Sequence, residues 1–210
     1  MTISVYIITS SFFSVYHETQ NYMLLIAGPY LVDGKYGSAI HTPNDATNCG
    51  NMISLDNHDN DCLGNINLCS DGITLSFWFK GSEQPHNYVF VLLSSNFMIG
   101  FNGTGNQLFP LYHLNGQSVG QRNEPGQSSF SLNEWHNIGI TYSVSSGFNV
   151  YHDGCLQNIA FQSVNASSPF TKVSLSGLTC FLTCANMTYD DLRVYNVKKE
   201  ERFMYWLWKN

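Results

Sequence analysis

The run Ile73-Thr-Leu-Ser-Phe-Trp-Phe-Lys80 constrains this chain more than any other segment. Ile73, Leu75, Phe77 and Phe79 share one face of an extended strand, and Thr74, Ser76, Trp78 and Lys80 share the other. That period of two cannot be laid on a helix without spreading the apolar residues around its circumference. The run therefore predicts a strand with Ile73, Leu75, Phe77 and Phe79 in a core. A second alternation follows in Trp135–Tyr142, with Ile138, Ile140 and Tyr142 inward and Asn137, Gly139 and Thr141 outward. Next come Gly147–His152, Asp153-Gly154 and Cys155-Leu156. Asp-Gly between two strands predicts a type I′ hairpin, because both central positions of that turn need positive φ.

Shorter β segments are expected at Tyr22–Ile26, Tyr36–Ile40, Tyr88–Ser94, Met98–Phe101, Gln107–Leu114, Thr171–Leu175 and Asp190–Tyr195. Pro110 demotes Gln107–Leu114 to an edge, since proline cannot donate to a ladder. Asn44–Gly50, Asp56–Asp61 and Gly116–Gln127 read as loops, and Val197–Trp208 as the one helix. Strands without helical crossovers pair antiparallel. The expected fold class is all-β: a two-sheet antiparallel jelly-roll sandwich with one short C-terminal helix. Residues 1–20 are an N-terminal segment, a first strand or a weak signal-like stretch, and 21–210 form the domain. Trp206 and Trp208 are expected to pack the helix down; an exposed aromatic end would be a partner patch.

Composition narrows the role. Charged residues make up 11% of the chain, and 15 acids against 9 bases give a net charge of −6. No basic stripe exists to neutralise phosphates, so a nucleic-acid partner is not expected. No apolar stretch approaches the length of a membrane-spanning helix. Six cysteines (Cys49, Cys62, Cys69, Cys155, Cys180 and Cys184) lack the tight spacing of a zinc knuckle and suit disulfides. Three sequons stand at Asn102, Asn165 and Asn186. Together these features imply the oxidising secretory route, hence a secreted chain or the extracellular part of a larger protein.

Three segments resemble the concanavalin A-like jelly-roll superfamily, in its laminin-G-like and pentraxin-like branch. They are Gly72–Lys80, the hairpin from Asn133 through Leu156, and Tyr189-Asp-Asp-Leu-Arg-Val-Tyr-Asn196 with the helix after it. They occur in the family's order, although the ending reads Tyr195-Asn-Val-Lys where the family favours a small residue opening the helix. Cys62–Cys69 is similar to a cysteine loop of animal extracellular members, which implies a local disulfide; Cys155 is expected to pair with Cys180 or Cys184. The resemblance also places Trp135 at the start of a core strand.

Glucanases of that superfamily carry two Glu around an Asp on one strand. The six Glu of this chain (18, 83, 124, 134, 200 and 201) form no such triplet, so that hydrolysis is not expected. No Gly-x-Ser-x-Gly elbow is present. The seven histidines read as packed or surface residues, among them His136 and His152 in strands. Calcium is the candidate cofactor, because hard cations want clustered oxygens. Asp56, Asp59 and Asp61 form one candidate site, and Asp190-Asp191 another, where relatives use a carboxylate to hold an ion. The expected function is non-catalytic recognition or adhesion, binding a glycan or an extracellular protein. The alternatives are a structural assembly domain or an enzyme of unrecognised type on the same scaffold.

Overall fold

The computed structural model describes residues 30–43, 62, 68–82, 130–157 and 186–210 in full. It also gives the backbone of strands at 6–7, 14–15, 53–57, 89–93, 98–102, 107–114, 117–120 and 172–175. In chain order the strands are β1 (Tyr6–Ile7), β2 (Ser14–Val15), β3 (Tyr30–Asp33), β4 (Ser38–Thr42), β5 (Ile53–Asn57), β6 (Ile73–Gly81), β7 (Val89–Leu93) and β8 (Met98–Asn102). They continue with β9 (Gln107–Leu114), β10 (Gln117–Gly120), β11 (His136–Ser143), β12 (Gly147–His152), β13 (Cys155–Leu156), β14 (Lys172–Leu175) and β15 (Met187–Tyr195), before helix α1 (Glu201–Lys209). One sheet has seven strands in the order β13-β12-β11-β6-β15-β4-β3, a second has six in the order β10-β9-β8-β7-β14-β5, and β1 pairs with β2. Every ladder is antiparallel.

The register of the seven-stranded sheet sorts its side chains. Ile73, Leu75, Phe77 and Phe79 lie opposite Tyr142, Ile140, Ile138 and His136, which in turn share a face with Phe148, Val150 and His152. All are buried. The other face was expected to meet solvent at Asn137, Gly139 and Thr141, yet Asn137 and Thr141 are buried as well. The reason is α1, whose Met204 and Leu207 pack with Tyr151 and Tyr195 on that face. Gly139 lies under Met204 Cε, where a β-carbon would collide with it. The central strands β6, β11, β12 and β15 are buried on both faces, yet one face reads in sequence as half-polar because small Thr, Ser and Asn side chains are buried there. Asn137 donates to Ser76 Oγ at 3.1 Å and to the Phe77 carbonyl at 3.2 Å.

Several expectations shift. Helix α1 begins at Glu201, not Val197, because residues 196–199 are tied to the sheet. Lys198 N–H donates to the Asp71 carbonyl and Lys199 N–H to Thr74 Oγ1. Gly116–Gln127 contains β10, and Asp56 stands in β5 instead of a loop. β9 has neighbours on both sides, although β10 pairs only with Leu111–Leu114 and so stops one residue short of Pro110. The proline therefore occupies a local edge inside a non-edge strand. Tyr22–Ile26 lies outside the described residues.

Candidate functional site

The hairpin β12–β13 turns on two residues, Asp153 at φ 49° and Gly154 at φ 75°. This is the predicted positive-φ pair, and it places the Asp153 carboxylate over the start of β11. There Asp153 Oδ1 accepts the Asn137 N–H at 2.7 Å, and Asp153 N–H donates to the Asn137 carbonyl. Asp153 Oδ2 stands 2.7 Å from His136 Nδ1 and 3.5 Å from His152 Nε2, and the two imidazole nitrogens are 3.3 Å apart. His136 Nε2 meets the Ser131 backbone, 3.1 Å from its N–H and 3.2 Å from its carbonyl. Burial drives the His152 imidazole below its ordinary range, with Asp153 opposing that shift and His136 adding to it. Burial pushes the Asp153 carboxyl upward, but hydrogen bonds from His136 and the Asn137 N–H outweigh it and hold the group low. The two histidines are packed, as expected. Their convergence on Asp153 was not expected.

A second polar cluster lies where β15 bulges between Asp190 and Arg193. Asp191 takes φ 50° there, a conformation that Asp tolerates. Its carboxylate is held on both oxygens by Arg193, from Nε at 2.9 Å and from the terminal nitrogen at 2.7 Å. Asp190 Oδ2 accepts the Tyr36 N–H at 2.9 Å, which ties the β3–β4 turn down. Gly34 allows that approach, since a β-carbon there would stand 2.6 Å from Asp190 Oδ2. The same turn lays Lys35 Nζ 3.7 Å above the Trp78 ring, with Tyr36 edge-on to it. Trp78 is thus buried under this turn, not under α1.

Asp190-Asp191 is also the second candidate calcium site. An ion wanting about six to eight oxygens meets one buried oxygen without a hydrogen-bond partner, Asp190 Oδ1, beside a guanidinium that occupies both oxygens of Asp191. The pair locks a bulge. Asp59, Asp61 and the Asp56 side chain lie outside the described residues.

Cys62 and Cys69 form the local disulfide. Cys155 is exposed and carries a free thiol at the hairpin edge; its expected partners, Cys180 or Cys184, are outside the described residues, as is Cys49. Of the sequons, Asn186 is half-buried and bonds His41 through its side chain, and Thr188 of the same sequon is buried against His41. The Asn102 side chain and Asn165 lie outside the described residues. Trp135 is half-buried just ahead of β11, not in the core, with Lys80 Nζ 5.0 Å over its ring. On α1, Trp206 is 51% exposed and stacked on Phe203, and Tyr205 is 47% exposed. Trp208 is half-buried against Gly154. The helix is held by Met204 and Leu207, not by Trp206.

A mostly β domain of two antiparallel sheets with a helix laid on one sheet face is the class this architecture defines. The chain belongs to the concanavalin A-like lectin/glucanases superfamily, whose laminin-G-type family model matches residues 55–201. No curated protein matches it by sequence. Among solved structures it is similar to the binding domain of Paraclostridial mosquitocidal protein 1, with a TM-score of 0.70 and 14% identity over 98% of this chain and 51% of that one. It is similar to the binding domain of botulinum neurotoxin serotype G, at 0.64 and 13% over 90% and 46%. It also resembles domain 4 of the extracellular arabinanase AbnA from Geobacillus stearothermophilus, in complex with arabinotriose, at 0.63 and 16% over 86% and 81%. Trypanosoma rangeli sialidase matches over 28% of its own length. The chain spans about half or less of the length of these toxin and sialidase relatives. At such identities the likeness establishes the fold. No helix among the described residues is long and apolar enough to cross a membrane.

Proposed function

We propose that this chain is a non-catalytic recognition module of a secreted or extracellular protein, taking up a glycan or a protein surface at its rim. The observation that carries the reading is the burial of both faces of the central strands β6, β11, β12 and β15 of the seven-stranded sheet. Among the described residues those central strands offer no open surface to a ligand, and a rigid frame of this kind presents its connecting segments instead. Several fold neighbours support the reading, since they are binding domains and one was seen with arabinotriose. The Cys62–Cys69 disulfide supports an oxidising compartment. Calcium assistance is part of the proposal, with Asp56, Asp59 and Asp61 or Asp190-Asp191 as its alternative sites.

The test is a glycan array probed with the purified chain, with and without a calcium chelator. Saturable binding to a defined glycan class supports recognition, and its loss in chelator supports the ion. Silence on the array, together with tight association with another domain of the same protein, would replace the proposal by the assembly reading.

A further inference from the structure

We infer that His136, His152 and Asp153 form a binding site for a divalent ion of the zinc class. The three ligand atoms, His136 Nδ1, His152 Nε2 and Asp153 Oδ2, all lie within 4.8 Å of one another. A tetrahedral ion with bonds of about 2.0–2.1 Å separates its ligands by about 3.3–3.4 Å. The two separations that involve His152 are 3.3 and 3.5 Å, already at that value. Only the His136–Asp153 separation, 2.7 Å and set by a hydrogen bond, has to widen.

The far side of two ligands is held as a metal site requires. A ligating histidine carries its proton on the other ring nitrogen and gives it to a fixed acceptor. His136 Nε2 lies against the Ser131 backbone, accepting its N–H at 3.1 Å while the proton sits on Nδ1, and standing 3.2 Å from the carbonyl that would accept the proton once Nδ1 holds the ion. A ligating carboxylate is oriented through its second oxygen, and Asp153 Oδ1 accepts the Asn137 N–H at 2.7 Å. Two neutral imidazoles and one carboxylate suit zinc, cobalt or nickel and disfavour calcium and magnesium, which prefer oxygen alone. Three protein ligands leave a fourth position for water or an exchangeable group. Asp153 keeps 30% of its side chain exposed, against 9% for His136, so the carboxylate is the more solvent-facing of those two ligands.

The site is independent of the recognition proposal, and its test reads metal directly. The full chain, stripped with chelator and dialysed, is titrated with Co(II) under visible absorbance and with Zn(II) by calorimetry. One equivalent of each is expected, with the intense visible bands of tetrahedral cobalt and displacement of cobalt by zinc. Two variants are run beside it. His152→Val removes one ligand with a residue suited to a buried strand. Asp153→Asn keeps an acceptor for the Asn137 N–H and tolerates the left-handed turn. Each is expected to lose affinity by at least about 100-fold, a larger loss than deleting an outer-shell partner causes, with its far-ultraviolet circular dichroism unchanged. If His152→Val does not fold, Asp153→Asn decides alone. A folded wild-type chain without cobalt bands, or a folded variant that keeps wild-type affinity, overturns the inference.

Discussion

Single side chains in this protein act mainly as ties between segments far apart in sequence. Arg193 shows how much one tie carries. Its guanidinium holds both oxygens of Asp191, and Asp191 is 5% exposed. Burial pushes the Asp191 carboxyl upward, and Arg193 is what works against that shift. Removing the guanidinium leaves a carboxylate in a bulge with its partner gone, which costs far more than the pair itself contributes. Arg193→Leu is expected to lower the unfolding free energy by about 2–4 kcal/mol, read from urea denaturation midpoints. The double variant Arg193→Leu/Asp191→Asn should recover part of that loss, because the amide has no charge to strand. Recovery of none would show that the guanidinium acts by packing alone.

At the level of elements, the contact between α1 and β11 decides the outcome. Met204 is fully buried, and its terminal methyl fills the space that a β-carbon on Gly139 would occupy. Met204→Ala is expected to cost about 2–4 kcal/mol, in the usual range for emptying a core methionine site. Gly139→Ala alone is strained by the same methyl. In the double variant the two changes relieve each other, so the combined loss should fall short of the sum of the single losses; strict additivity would separate the sites. The hairpin elements were legible in the sequence because Asp153-Gly154 leaves a type I′ turn few alternatives, and β12 and β13 stand where the pattern puts them. The convergence of His136, His152 and Asp153 was in principle legible too. His152 pairs with Ile138, which puts it diagonally beside His136 on one face. Reading that pairing requires a register across the Ser143–Gly147 turn, which the serines there do not specify as Asp-Gly does. The bulge at Asp191 was not legible, since nothing in Asp190-Asp191-Leu192-Arg193 distinguishes a left-handed residue from regular alternation. The second buried face was hidden for a different reason: its threonines, serines and asparagine look like a solvent face until α1 is laid over them.

Across the described residues, buried His152 and half-buried His41 shape the response to acid. Burial lowers the affinity of both His41 and His152 for protons below the ordinary value of 6.5. Above that value they are neutral whether the chain is folded or not and contribute nothing to pH dependence. Below it the unfolded chain takes up protons that the folded one refuses, so stability is lost progressively as pH falls. Asp153, held low by His136 and the Asn137 N–H despite its burial, adds a further loss below its ordinary 3.8. Asp191, whose carboxyl is raised, works the other way and softens the fall near its own range. In chelator, the melting temperature is therefore expected to be level above about pH 7 and to drop between about pH 6.5 and pH 5. His152→Gln should flatten that segment of the curve. An unchanged slope in the variant would assign the acid response elsewhere.

The pairing of β15 with both β4 and β6 also fixes when the sheet can be completed. Thr42 bonds the Met187 carbonyl across 145 positions, and Tyr189 sits beside Phe79. A ribosome has to deliver residue 195 before the strand at 73–81 has neighbours on both flanks. Until then Phe77 and Phe79 hang on the β11–β12 hairpin alone, a pairing whose two strands are near in sequence. The growing polypeptide thus lengthens from residue 81 to residue 195 before Phe77 and Phe79 have both of their flanking strands.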